Sequence, residues 1–189
     1  MTYSVIITAF AILLLTGAWV YPYISAAIMK AGMIKRLTVI AKDKGFRYRR
    51  SFRSALLTRN LSRRYDMIIY DEKRLYAVKL WSSYFAYNNL VVTEKGRIRE
   101  ERRTRPVFLM GERDTVYTKG ITYRVPKLRL HKKYANGRDV EQILLIYPSY
   151  ESIKAENGRS FVALKTGDEL FGRTIYSPSA FIKRLKGDA

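Results

Sequence analysis

The chain has 189 residues, no cysteine and one histidine, with 36 Lys and Arg against 16 Asp and Glu for a formal net charge of +20. That length suits one apolar segment plus one domain large enough to bury a core. The composition excludes a disulfide scaffold and leaves a His-based triad or a zinc site almost nothing to work with.

From Ser4 to Met29, SVIITAFAILLLTGAWVYPYISAAIM carries no charged residue. At about 1.5 Å per residue such a helix covers a bilayer core of roughly 30 Å, so the pattern predicts a transmembrane anchor. No basic residue precedes the run, and it exceeds the apolar region of a signal peptide, about 7–15 residues. Trp19, Tyr21 and Tyr23 suit an interfacial belt, with Pro22 kinking the helix or ending the span. Lys30, Lys35, Arg36, Lys42 and Lys44 follow, whereas the flank MTYS holds no side-chain charge. The positive-inside rule therefore predicts a single-pass protein of the inner or plasma membrane, bacterial in type, with its N-terminus outside and its C-terminal domain cytoplasmic. The expected division is 1–33 as anchor and juxtamembrane segment and 34–189 as a basic α+β domain. All the charge lies after residue 29, and it attracts either anionic lipid or nucleic acid without choosing between them.

Lys35 to Lys44, KRLTVIAKDK, extends a helical pattern that groups Ile34, Leu37, Val39, Ile40 and Ala41, and Gly45 stops it. In FRYRRSFRSALLTRNLSRR aromatic and basic residues then interleave. Arg47, Tyr48, Arg49, Arg50 and Arg53 are the candidate binding residues: Phe46, Tyr48 and Phe52 to stack on bases, the arginines to contact phosphates. An edge strand and loop whose arginines reach toward lipid has the same composition.

From Tyr65 the period becomes that of strands: YDMIIY, a polar turn DEKR, then LYAVKLW. Another strand turns at Glu94 to Gly96, and Arg97 to Asp139 is charged and irregular, with VFLMG, TVYTKG and ITYRVPKL as short strand candidates. EQILLIYPS is a continuous apolar strand of the kind buried inside a mixed or parallel sheet. SFVALKTGDELFGRTIYS reads as two short strands around a turn at Gly167-Asp168. SPSAFIKRLKG closes the chain as a helix, with Ser177 as N-cap, Pro178 first and Gly187 as stop. His131, beside Lys132 and Lys133, reads as a solvated loop residue.

With Glu72-Lys73 at the tip of a hairpin, Tyr70 faces Leu75, Ile68 faces Ala77 and Asp66 faces Lys79, so Asp66, Ala77 and Lys79 share one face. An acid opposite acid-x-Lys, with a helix before and a buried strand and helix after, resembles the PD-(D/E)xK nucleases of restriction-endonuclease-like fold, and among them the membrane-anchored nuclease-related domains. The resemblance spans roughly Lys35 to Leu185. It implies a mixed sheet with flanking helices, and in the family two carboxylates hold Mg²⁺ while the lysine assists. Here Asp66 matches the first acid and Lys79 the lysine, but Ala77 stands where the second acid belongs. The expectation is a noncatalytic binding or scaffold module on a degenerate nuclease-like fold, with no cofactor. The alternative is an active Mg²⁺-dependent nuclease that borrows an acid from Glu100, Glu101, Glu112 or Asp114. A plain Asp66–Lys79 ion pair in an unrelated α+β domain also satisfies the pattern.

Overall fold

A computed structural model describes residues 2–51, 63–82, 89–104, 116–125, 127–135, 137–147, 150, 152–158 and 160–187. Helix α1, Thr2–Asp43, leads into β1 (Arg47–Arg50), β2 (Met67–Tyr70) and β3 (Arg74–Trp81). Then come β4 (Asn89–Val92), β5 (Arg97–Thr104), β6 (Val116–Arg124), a short α2 (Lys132–Ala135) and β7 (Asp139–Ile146). The chain ends with β8 (Ile153–Asn157), β9 (Ser160–Ala163), β10 (Thr174–Tyr176) and α3 (Pro178–Lys186).

The strands form two five-stranded sheets, ordered β1-β2-β3-β7-β10 and β6-β5-β4-β8-β9. In the first, β1, β2 and β3 run antiparallel, and β7 and β10 add parallel to β3. The fold is α+β with mixed sheets. EQILLIY takes the interior parallel position its unbroken apolar pattern predicts, between β3 and β10. VFLMG lies outside the described residues.

Strand alternation sorts the core. From β3, Tyr76, Val78 and Leu80 join Ile143 and Leu145 of β7 under Met33, Ile34, Leu37 and Ala41 of α1 and Phe181, Ile182 and Leu185 of α3. Trp81, Leu144 and Ile146 face the other way, onto Leu90, Val92 and Ile98 of the second sheet. The first sheet is thus covered by helices on one side and by the second sheet on the other, and β3 is buried along almost its whole length. Truncating a side chain such as Leu37, which is fully buried, costs about 2–5 kcal/mol at sites of this kind.

Both long helices end as their sequences dictate. Gly45, at φ 74°, allows the Gly45 N–H to bond the Lys42 carbonyl at 3.0 Å and the Phe46 N–H to bond that of Ala41 at 2.8 Å, a Schellman cap. In α3 the Ser177 hydroxyl accepts from the Ala180 N–H and Gly187 is left-handed.

Two expectations are corrected. Among the described residues no helix is long and apolar enough to cross a membrane. The transmembrane anchor, the single-pass topology and the placement inside and outside an inner or plasma membrane that followed from it are therefore not supported. The physical reason lies in α1. From Lys30 onward charged residues recur along it. The helix also runs through Pro22 and through the expected boundary at 33/34 without a break, and its last third is core. Secondly, the buried stripe is Met33, Ile34, Leu37 and Ala41, at helical spacing, whereas Val39 is half exposed.

Candidate functional site

The β2–β3 hairpin has the expected register, Tyr70 opposite Leu75 and Ile68 opposite Ala77. Its tip is fixed by Asp71, whose Oδ1 accepts from the Lys73 and Arg74 N–H groups at 2.8 and 2.6 Å. One pair beyond the strand end, the Asp66 N–H bonds the Val78 carbonyl at 2.9 Å. Asp66 and Lys79 thereby meet, Nζ to Oδ2, at 3.5 Å. The same Oδ2 accepts the Leu80 N–H at 2.8 Å.

A second cation arrives from α1. Lys30 Nζ lies 3.1 Å from Asp66 Oδ1, with Lys30, Asp66 and Lys79 all essentially buried. The Lys30 contact is electrostatic, without an aligned hydrogen bond, whereas Lys79 also donates to the Arg64 carbonyl at 3.3 Å. Burial pushes Lys79 down from its ordinary value to about 8; Asp66 opposes the shift, and Lys30 and Arg173 add to it.

Ala77 is fully buried beside Tyr65 and Leu75, opposite Gln142 in register. The Tyr65 hydroxyl donates to Gln142 Oε1 at 2.6 Å. Burial raises the Tyr65 pKa, with buried Arg173 bonded to it and pulling the other way. The neighbourhood of the absent acid is thus filled by a tyrosine, an amide and a guanidinium.

Mg²⁺ does not fit these residues. The donor set is one carboxylate whose oxygens already face two ammonium groups and a backbone N–H, so a divalent ion would sit against like charge. Of the acids proposed to substitute, Glu100 accepts from the Tyr150 hydroxyl at 3.0 Å and Glu101 pairs with Arg99 at 3.0 Å. Glu112 and Asp114 lie outside the described residues. Among those described, no three His, Cys, Asp or Glu gather as a metal site.

A second feature lies on the same side of the hairpin as Tyr65 and Ile68. A cleft of about 830 Å³ is lined by Arg49, Arg50, Arg63, Arg64 and Arg129 together with His131 and Tyr134, and among the described residues no acid lines it. Arg49 and Arg50 come from β1, the edge of the first sheet. The 128–134 segment is held to the opposite wall by the Arg129 N–H, which bonds the Arg63 carbonyl at 3.0 Å. Arg49 donates to the Tyr134 hydroxyl and stands 5.7 Å from the centre of its ring.

The interleaved aromatics have another task. Phe46 and Tyr48 pack against the helix-side core, and Phe46 meets Tyr76 edge-on. Along this stretch Phe46 and Tyr48 turn toward the core while Arg47 and Arg49 alternate outward, and Arg50 shares the Tyr48 side at the end of β1. Tyr48 is therefore not offered to bases, although Arg50 lies over its ring. Arg47 lines a separate, smaller cleft with Tyr70, Lys73 and Arg138 near the hairpin tip. Phe52 and Arg53 lie outside the described residues.

Sequence reasoning missed Lys30, Gln142 and Arg173 around the carboxylate, and Arg63, Arg64, Arg129, His131 and Tyr134 in the cleft. For Lys30 a signal existed: it is three and four residues before Met33 and Ile34, on the stripe that helical spacing buries. His131 is exposed as expected, yet it belongs to the cleft lining and its Nδ1 accepts from the Lys133 N–H.

Comparison with family models, with curated proteins and with solved structures finds no match to this chain.

Proposed function

We propose that this chain is a noncatalytic nucleic-acid-binding module that grips phosphates in the arginine-lined cleft. The observation that carries the reading is five arginines on one concavity, with no carboxylate among its described lining residues. Clustered guanidinium groups attract anions, and a guanidinium matches phosphate with a planar, two-toothed fork. With Phe46 and Tyr48 turned toward the core, recognition runs through the backbone rather than through base stacking, and is therefore tolerant of sequence.

Nucleic acid is favoured over a lipid surface because the arginines face a concavity. A strand enters a cleft of this kind, whereas a flat bilayer meets only its rim.

The noncatalytic reading rests on Asp66. Its carboxylate is held by Lys30, Lys79 and the Leu80 N–H, and position 77 supplies no second ligand. A degenerate PD-(D/E)xK core is consistent with the antiparallel β1-β2-β3 followed by parallel β7, and with Asp66 beside Lys79. It departs from that family's expected form in one respect: the passage from β3 to β7 carries β4, β5, β6 and the short α2.

The test is incubation of the full chain with labelled single- and double-stranded DNA and RNA, with and without Mg²⁺ or Mn²⁺. The expected result is a salt-sensitive shift without cleavage, weakened when Arg49, Arg63 and Arg129 become Gln. Metal-dependent cleavage lost in Asp66→Ala overturns the noncatalytic reading. Binding to acidic liposomes but to no oligonucleotide overturns the nucleic-acid reading.

A further inference from the structure

A buried ion pair is a weak source of stability, because desolvation offsets much of the attraction. One ammonium group would neutralise the Asp66 carboxylate, and it holds two. Neutralisation alone therefore does not account for Lys79. Its remaining bond points toward the cleft: Nζ donates to the Arg64 carbonyl at 3.3 Å, and Arg64 is one of the residues that line that space.

Three stretches line the cleft among the described residues, and they meet around this buried cluster. Stretch 63–65 is held from the inside, by Lys79 on the Arg64 carbonyl and by the Tyr65 hydroxyl on Gln142. Its other side carries the second stretch, 129–134, because the Arg63 carbonyl accepts the Arg129 N–H at 3.0 Å. The third, at the end of β1, is joined where the Ser51 N–H bonds the Asp66 carbonyl at 3.0 Å. Lys79 is only 2 % exposed, so it reaches no ligand itself. Strand alternation sets it on the same side of β3 as Leu75 and Ala77, the side against which Leu130 and Tyr134 pack.

We infer that Lys79 is a positioning residue for the cleft, holding the 63–65 wall from behind and, through it, the spacing of Arg63 and Arg129. The inference rests on the phosphate-gripping role proposed above. An arginine array whose backbone is fixed in advance loses less entropy when it closes on a phosphate.

Lys30 supplies a matched control. It meets the other oxygen of the same carboxylate and is equally buried, yet its Nζ makes no hydrogen bond to the cleft wall. K30M and K79M each remove one buried ammonium group and leave Asp66 one partner. Only K79M frees the Arg64 carbonyl.

Fluorescence anisotropy of the full chain with labelled DNA and RNA oligonucleotides, single-stranded and duplex, reads the effect on binding. Amide hydrogen exchange of the same chains without ligand reads the wall directly. K79M should weaken binding about threefold to tenfold, the scale of one hydrogen bond's net contribution, whereas K30M should stay within about twofold of wild type. In the R63Q/R129Q background K79M should have little further effect, since residues acting through one another are not additive. Exchange of the Arg129 N–H should quicken in K79M and not in K30M. If K79M does not fold, K79Q carries the same readouts.

Wild-type affinity in K79M, or equal losses in K30M and K79M, overturns the positioning role and leaves phosphate binding intact. A full additional loss in R63Q/R129Q overturns action through this wall. If the wild-type chain binds no oligonucleotide, the nucleic-acid reading falls, and exchange decides the remainder: quickening confined to K79M upholds Lys79 as the support of the wall, and unchanged exchange overturns it.

Discussion

Lys30 Nζ stands 3.1 Å from Asp66 Oδ1, joining the first charged side chain of α1 to the first acid of the β2–β3 hairpin. With Lys79 on the other oxygen, one buried carboxylate balances two buried ammonium groups. Removing the shared partner is therefore the costly change. Asp66→Ala should lower stability by about 3–5 kcal/mol, the cost of leaving buried charge uncompensated. Lys30→Met leaves a neutral Asp66–Lys79 pair and should cost less than half as much. Urea unfolding of the two variants checks the order; equal losses would remove the triad from the account.

Lys79 gives the triad a pH signature. Its folded value, about 8, lies below its ordinary 10.5, because burial disfavours the ammonium form. Between these values the unfolded chain holds more protons than the folded one, so stability contributed by this group rises with pH from about 8 to about 10.5. Below pH 8 both states are protonated and the cost of the buried charge is fully present. The stability difference between wild type and Lys79→Met should therefore shift in favour of wild type across this window. A flat difference would contradict it.

Placing an acid at position 77 should not create a metal site. Ala77 is fully buried against Tyr65 and Leu75, so Ala77→Asp adds volume and an anion to a filled place. A loss of about 1–3 kcal/mol from overpacking is expected, with no Mg²⁺-dependent cleavage, because Lys30 still faces the Asp66 carboxylate. Thermal melting and a denaturing gel read the two outcomes; metal-dependent cleavage by this variant would show that Lys30 yields its place.

Salt dependence separates the cleft from general charge. Every arginine that no longer grips a phosphate should reduce the slope of log affinity against log salt by about 1. Arg63→Gln and Arg129→Gln should each show that reduction, whereas Lys183→Gln, exposed on α3, should leave the slope unchanged. Equal effects at all three positions would mean that net charge alone does the binding.

The last helix offers a control with no bearing on ligands. The Ser177 hydroxyl accepts the Ala180 N–H at 3.3 Å, so Ser177→Ala should cost about 1 kcal/mol. A shifted urea midpoint with an unchanged slope is the expected result.

Local rules suffice wherever a feature depends on neighbours in the chain. The Glu72-Lys73 tip, the facing of Ile68 with Ala77 and hence of Asp66 with Lys79, the caps at Gly45 and Ser177, and the buried run at β7 all follow from turn chemistry and strand or helix period. Composition alone misleads around β1, where Phe46 and Tyr48 turn toward the core while Arg47 and Arg49 turn away from it. An apolar run likewise suggests an anchor, although the described part of α1 supplies no membrane-crossing stretch and its last third covers a sheet.

Only the tertiary structure set Lys30 against Asp66 and Gln142 beside Tyr65, since these pairs lie 36 and 77 residues apart. Arg49, Arg63 and Arg129 belong to one cleft for the same reason. A sequence fixes which side of a strand a residue occupies, because backbone geometry is local. Which distant segment arrives at that side is decided by how the layers pack, and here that packing set two lysines against one carboxylate and gathered five arginines.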